Sequence, residues 1–284
     1  MIKIIGLIDG SIYAQSVCDH IAWIAGRSEV SVDILHVIGR RDLSTEPVNL
    51  SGNIGLGART ALLKELAELD AQKARTAQHR GRLLLEEAKA RLQAVGIDRV
   101  NTMLRNGDLA ETLQELEESA DLIVIGKRGE GADFAQLHLG SNLERVVRSS
   151  HKMIAIASRA FKPIRKVLIA YDGGAMAMKA VDYISGNPMF AGLSIKLVTV
   201  GDDTPEARQA LIEGKLRFMD AGVPVESAIF AGQPDKAISD IVEREAYDLL
   251  MMGAYSHSRL RALFIGSTTT EMIRACKVPV LIFR

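Results

Sequence analysis

The chain says nearly the same thing twice, and this repetition limits its fold more than any other feature. The first half opens with Ile4-Ile5-Gly6-Leu7-Ile8-Asp9-Gly10-Ser11, a short apolar run closed by Asp-Gly. The second half repeats that design as Val167-Leu168-Ile169-Ala170-Tyr171-Asp172-Gly173-Gly174, with 172 − 9 = 163 positions between the two aspartates. Further on, Asp121-Leu122-Ile123-Val124-Ile125-Gly126 matches Asp248-Leu249-Leu250-Met251-Met252-Gly253, and Gly140-Ser141 matches Gly266-Ser267, at offsets of 248 − 121 = 127 and 266 − 140 = 126. An ordered series of shared landmarks is most simply a duplicated domain. The join falls near 159–165, where Pro163 punctuates the chain. The expected domains are 1–160, with an insertion at about 38–95, and 161–284. At 284 residues each half is long enough to bury a core of its own.

Each half alternates short apolar runs with longer helical patterns, the signature of βα units around a parallel sheet. Strands are expected at 3–9, 32–37, 100–105, 122–126 and 153–157, then at 166–172, 194–200, 223–230, 249–253 and 278–283. The runs are continuously apolar, as strands covered by helices on both faces should be. The fold class is α/β: two tandem, doubly wound parallel-sheet domains of five strands each. The apolar last strands of the halves need their edges covered, and pairing them with each other within the chain is the simple solution.

Val37 to Gly107 spans 70 positions and its counterpart, Val200 to Gly232, spans 32, so the first half carries 70 − 32 = 38 extra positions. Part is the Gly-rich stretch 49–57; the rest extends a Leu/Ala/Glu/Lys/Arg-rich helical pattern over 59–95. Unbroken, that helix would be about 55 Å long, more than one domain of roughly 40 Å can cover. Because Gly costs ~1 kcal/mol inside a helix, a break near Gly81 is the expectation. The alternative is an overhang that packs Leu62, Leu66 and Leu69 on the other half or on a second copy, giving a homodimer.

Charge and composition exclude several classes. With 35 Lys+Arg against 35 Asp+Glu, no long-range positive field gathers nucleic acid or an anionic membrane. Cys18 and Cys276 form no C-x-x-C pair and read as small buried residues. No run of ~18 apolar residues suits a membrane span, and Asp9 interrupts the N-terminal apolar run before a secretory core could form. A cytoplasmic location is expected.

In open parallel sheets, ligands sit beyond the carboxyl ends of the strands, and the unusual residues of this chain gather there. Asp9 and Asp172 close the first strand of each half. A carboxylate at that place can accept hydrogen bonds from a sugar hydroxyl or base amine, or simply cap the following helix; both roles can hold at once. After the fourth strand the first half reads Gly126-Lys127-Arg128-Gly129, ten residues, then Gly140-Ser141. The second reads Gly253-Ala254-Tyr255-Ser256, nine residues, then Gly266-Ser267. Gly-Ser at a helix start offers free N–H groups, a hydroxyl and the positive dipole end to an anion, and it is also plain capping chemistry.

Together, Asp-Gly-Ser after strand one, His36-Val37 at the end of strand two, the Gly closing strand four, the G-x2-G-x9-G-[ST] type loop and the last strand Val278-Pro279-Val280-Leu281-Ile282 resemble the universal stress protein family. The resemblance covers both halves, as in a tandem member whose one chain forms the pseudo-dimer that other members assemble from two. It implies a Rossmann-like, adenine-nucleotide alpha hydrolase-like fold and binding of ATP, ADP or AMP, with Mg as a companion ion, at neither, one or both sites. Carried onto this chain, the implied site residues are Asp9, Val37, Gly126, Gly129, Gly140 and Ser141, then Asp172, Val200, Gly253, Ser256, Gly266 and Ser267. The first loop has one residue too many before Gly140, and Ser256 stands where the second copy should have glycine.

Lys127 and Arg128 could neutralise phosphates, as Arg259 and Arg261 could in the second loop, or could be solvated charge. His257 has no nucleophile and acid to complete a catalytic set, and the other histidines lack metal-ligand spacing. The chain has no G-x4-G-K-[ST], H-x-G-H or S-G-G-x-D-S motif to position a reacting phosphorus. The expected function is a nucleotide-binding stress sensor or adaptor with no catalytic residues and at most slow ATP hydrolysis. The alternative is a nucleotide-free scaffold of the same fold that binds a protein partner or another small metabolite.

Overall fold

A computed structural model of the chain describes residues 1–39, 56–129, 140–254 and 267–284. In the first half, β1 (Ile2–Leu7), α1 (Tyr13–Ala25), β2 (Val30–Ile38), α2 (Leu56–Ala94), β3 (Val100–Asn106), α3 (Leu109–Leu116), β4 (Leu122–Gly126), α4 (Ser141–Ser149) and β5 (Met153–Ala157) follow one another. The second half continues with β6 (Lys166–Ala170), α5 (Ala175–Gly186), β7 (Ser194–Val200), α6 (Pro205–Asp220), β8 (Val225–Phe230), α7 (Pro234–Arg244), β9 (Leu249–Gly253), α8 (Ser267–Ala275) and β10 (Val280–Phe283).

All ten strands form one sheet in the order β3-β2-β1-β4-β5-β10-β9-β6-β7-β8. Pairing is parallel within each half, and the halves meet in a single antiparallel ladder with Val280, Leu281 and Ile282 opposite Ile156, Ala155 and Ile154. The two last strands thus cover each other's edges, as their apolar sequences require. This antiparallel seam has a geometric consequence: the carboxyl ends of β1 and β6 point to opposite ends of the sheet.

Strand side chains alternate between two apolar faces. Ile4, Ile34, Val124, Ile169 and Leu197 belong to the core under α1, α2, α5 and α6; Ile5, Leu35, Ile125, Leu168 and Val198 belong to the core under α3, α4, α7 and α8. The covering helices show the matching stripes, such as Leu143, Val146 and Val147 on α4 and Ile238, Ile241 and Val242 on α7. The repeated Asp121 and Asp248 also find a structural reason. The Asp121 carboxylate accepts from the Lys3 N–H at 2.8 Å, and that of Asp248 accepts from Lys166 N–H at 2.9 Å. Each ties the entry of its fourth strand to the entry of its first.

The expected break at Gly81 does not occur: α2 is a continuous helix of 39 residues, about 58 Å long. Its C-terminal part packs on the sheet through Leu85, Ala88 and Leu92, which are buried, whereas no side chain from Thr60 to Arg80 is buried. Glycine serves packing here. A Cβ at Gly81 would lie 2.8 Å from Leu104 Cδ1 and 2.9 Å from the His36 ring, so the missing methyl lets the helix approach β2 and β3. That close approach offsets the propensity cost that predicts a break.

Candidate functional site

The strand order reverses between β1 and β4, which places a crevice beyond their carboxyl ends. In the first half that crevice is lined by Asp9, Val37, Gly126, Arg128 and Gly129, together with Tyr13, Leu109, Asn142 and Leu143. Four sequence-predicted residues therefore share one cleft. Gly140 and Ser141 stand at its rim: Gly140 is the N-cap of α4, Ser141 is its exposed first residue, and a Cβ on Gly140 would be 3.4 Å from the Gly129 nitrogen.

Neither Asp9 nor Asp172 is the N-cap of its helix; those positions belong to Ile12 and Gly174. Each carboxylate instead accepts from the N–H two residues ahead, Ser11 at 3.0 Å and Gly174 at 2.9 Å, forming the same Asx turn in both halves. The Ser11 hydroxyl then accepts from Tyr13 N–H at 3.2 Å to start α1. The strand ends are braced in parallel fashion as well. His36 Nδ1 sits 2.9 Å from the Ile8 carbonyl, a contact that makes Nδ1 the protonated nitrogen, and Thr199 Oγ1 donates to the Tyr171 carbonyl at 2.8 Å.

The glycines of the first turn divide their work. A Cβ on Gly126 would lie 2.6 Å from Tyr13 Cβ, so this glycine admits α1 against β4. A Cβ on Gly129 would lie 2.8 Å from Asp9 Oδ2, so this one lets the turn close on the carboxylate. The cleft holds about 60 Å³, far below the ~300 Å³ at the low end for small-molecule sites. An intact nucleotide would sit largely outside it, against the closed turn. A larger cleft of about 390 Å³ lies between the end of β2 and the projecting part of α2, lined by His36, Ile38, Leu69, Lys73 and Arg80 among others. It contains none of the predicted site residues.

Lys127 corrects both readings of it as a phosphate partner or a solvated charge. Its ammonium donates to the carbonyls of Arg274 at 3.1 Å and Cys276 at 2.5 Å, at the C-terminal end of α8 in the other half. Burial pushes it down to about 8. Arg128, by contrast, lines the cleft.

In the second half, Asp172, Val200 and Gly253 occupy the equivalent strand ends, with Gly253 packed 3.2 Å, at its would-be Cβ, from Met176 Cβ. Here the strand end is covered differently. Gly173 has φ of +73°, and a Cβ there would be 2.8 Å from Ala210 Cβ of α6. Tyr171, the counterpart of Ile8, is buried with its ring against Gly214 of α6. Ser267 begins α8; Ser256 and Gly266, with Arg259, Arg261 and His257, lie outside the described residues. Sequence reasoning missed Tyr13, Leu109 and Asn142. Tyr13 lies four positions after Asp9, but nothing local marks which side of α1 faces the cleft.

Among the described residues no three His, Cys, Asp or Glu side chains come together as a metal site, and no helix is long and apolar enough to cross a membrane. Burial pushes both cysteine thiols up to about 11, and both are buried and free.

Comparison with known proteins adds to this geometry. The family model for the universal stress protein family matches residues 1–158 and 198–284. Universal stress protein Slr1230 of Synechocystis sp. is 40% identical over 279 residues, covering 97% of each chain. The crystal structure of a universal stress protein from Archaeoglobus fulgidus superimposes with a TM-score of 0.75 at 20% identity, covering 99% of this chain and 95% of that one. A functionally unknown protein, PA1789 from Pseudomonas aeruginosa, aligns with a TM-score of 0.63 at 15% identity, covering 99% and 91%.

Proposed function

The chain belongs to the universal stress protein family, and from that premise we propose that it is a cytoplasmic tandem member that binds an adenine nucleotide and serves as a stress sensor or adaptor, with domains 1–160 and 161–284. The observation that carries the reading is the shared cleft of Asp9, Val37, Gly126 and Gly129, with Gly140 and Ser141 opening α4 beside it. Val37 and the Asp9 carboxylate would take the base and ribose, and the α4 N-terminus with Ser141 would take the phosphates. Magnesium, if it accompanies the nucleotide, would ride on the phosphates. The second set, Asp172, Val200, Gly253, Ser256, Gly266 and Ser267, is the corresponding proposal for the other end of the sheet. Bound nucleotide acts by favouring the conformation that binds it better; efficient turnover is no part of this reading.

The test is a thermal shift with Mg-ATP, ADP, AMP and a guanine control, alongside chromatography of whatever the purified protein releases on heating. At 100 times Kd a ligand adds ~2.7 kcal/mol, roughly 5–10 °C for a protein of this size. An adenine-specific shift lost in Gly140→Val supports the reading. No released nucleotide and no shift at millimolar concentration overturn it. The small volume of the first cleft, about 60 Å³, favours a second reading: a nucleotide-free scaffold of the same fold whose surface binds a protein partner or another small metabolite.

A further inference from the structure

Among the described residues, Lys127 and Arg284 cross the β5–β10 seam in opposite directions, and each ends on a helix C-terminus. Arg27, away from that seam, also reaches the second half through the Met189 and Ala191 carbonyls at 3.1 and 3.0 Å. Lys127, in the turn after β4, donates to the Arg274 and Cys276 carbonyls at the end of α8. Arg284, the residue after β10, donates to the Arg148 carbonyl on α4 at 3.3 and 3.4 Å. Arg148 and Arg274 are repeat-equivalent positions, at the same 126-residue offset as Gly140 and Gly266. The first contact falls on the proposed site, because Lys127 is flanked by Gly126 and Arg128, which line the first cleft, and Gly129 follows. The backbone of the turn is also held from its own half, with Lys127 N–H donating to Ala157 O at 3.2 Å. The turn is thus fixed on one side by β5 and on the other by a charge-assisted pair of bonds to the opposite domain, at a helix end whose dipole favours a cation.

We propose that Lys127 is a positioning residue: through its bonds to the C-terminal carbonyls of α8, the second half holds the Gly126–Gly129 turn in its closed form against Asp9 and so sets the affinity of the first cleft. The ligand class rests on the nucleotide reading above; the tether itself does not. Lys127 does not line the cleft; its ammonium ends on the α8 carbonyls. It acts by keeping Gly129 against the Asp9 carboxylate, where a Cβ would already come within 2.8 Å, so a turn released from α8 loses the close approach that glycine permits. Among the described residues, the titratable groups facing the ammonium are Arg128 from its own turn and Cys276 from the end of α8. Arg274, whose carbonyl accepts the bond, has its guanidinium held by Glu271 at 2.8 Å.

The test compares wild type, Lys127→Met and Lys127→Arg as full chains, by titration calorimetry with Mg-ATP and by hydrogen exchange without nucleotide. Loss of the tether should weaken Mg-ATP by roughly tenfold, the scale of one charge-assisted hydrogen bond. Faster exchange should appear at the amides of 127–129, and Lys127→Arg should restore both. In wild type, affinity should also decline as pH rises through about 8, while Lys127→Met shows no such step. Unchanged affinity in Lys127→Met, or an equal loss in Lys127→Arg, overturns the proposal. If wild type binds no adenine nucleotide, the nucleotide reading falls and exchange alone decides. Faster exchange at 127–129 in Lys127→Met then upholds the tether, and unchanged exchange removes it.

Discussion

Replacing Gly81 by alanine sets two opposing effects against each other at a single methyl group. On propensity alone Gly81→Ala should stabilise α2 by ~1 kcal/mol, because alanine loses less backbone entropy in a helix. The structure argues the reverse. The new Cβ would stand 2.8 Å from Leu104 Cδ1, 2.9 Å from His36 Cδ2 and 3.4 Å from His36 Nε2. Leu104 can rotate its terminal methyl away. His36 is less free, because its Nδ1 is bonded to the Ile8 carbonyl at 2.9 Å, so either the helix lifts or that bond is lost. Overpacking of this kind costs ~1–3 kcal/mol, and taking ~2 against the propensity gain of ~1 leaves a net loss of ~1 kcal/mol. For a protein of this size that lowers Tm by ~2–4 °C, readable by calorimetry. Ala90→Gly, on the exposed side of the same helix, supplies the pure propensity term, an expected loss of ~1 kcal/mol. Gly81→Ala made in a His36→Ala background should be neutral or stabilising, a coupling of at least ~1 kcal/mol between two residues in contact. A Tm that rises by 2–4 °C in the single Gly81→Ala variant would refute the reasoning and return Gly81 to being a weak point of α2.

Three further outcomes are expected. Gly129→Ala should displace the Asp9 carboxylate, 2.8 Å from the added carbon, and weaken adenine nucleotide at least tenfold in calorimetry while changing Tm by no more than ~2 °C. His20 is buried, with its Nε2 unpartnered and Phe161 edge-on at 5.0 Å, and burial lowers its pKa from 6.5. Below 6.5 the unfolded chain binds the proton more readily than the fold, so this residue contributes stability that is lost as pH falls through that value; Tm measured from pH 7.5 to 5 should drop more in wild type than in His20→Gln. Residues 1–160 expressed alone should leave the β5 edge uncovered and associate into dimers on a sizing column, while a stable monomer would contradict the need for β10 to cover that edge.

How much was legible in the sequence can be judged from particular residues. Asp9, Val37, Gly126 and Gly129 are spread over 129 − 9 = 120 positions and line one cleft, because βα alternation and short apolar runs already imply strands whose carboxyl ends share one edge. Asp121 and Asp248 were visible as repeat landmarks, although their work at the entries of β1 and β6 was not. The two aspartates after the first strands could be read as caps or ligand contacts; the Asx turns they make depend on backbone geometry that either reading allows.

The sequence by itself determined the duplication, the α/β class and the ends of most strands, since apolar period, turn residues and helix starts are local properties that a few neighbours decide. Tertiary structure decided the rest. Gly81 interrupts nothing because β2 and β3 lie directly beneath it. Lys127 ends on backbone carbonyls and not in the cleft because an antiparallel seam brings it to a helix end 276 − 127 = 149 residues away. The two proposed clefts open at opposite ends of the sheet because β5 and β10 run in opposite directions. Each of these depends on which distant surfaces meet, and packing settles that only when the whole chain is folded.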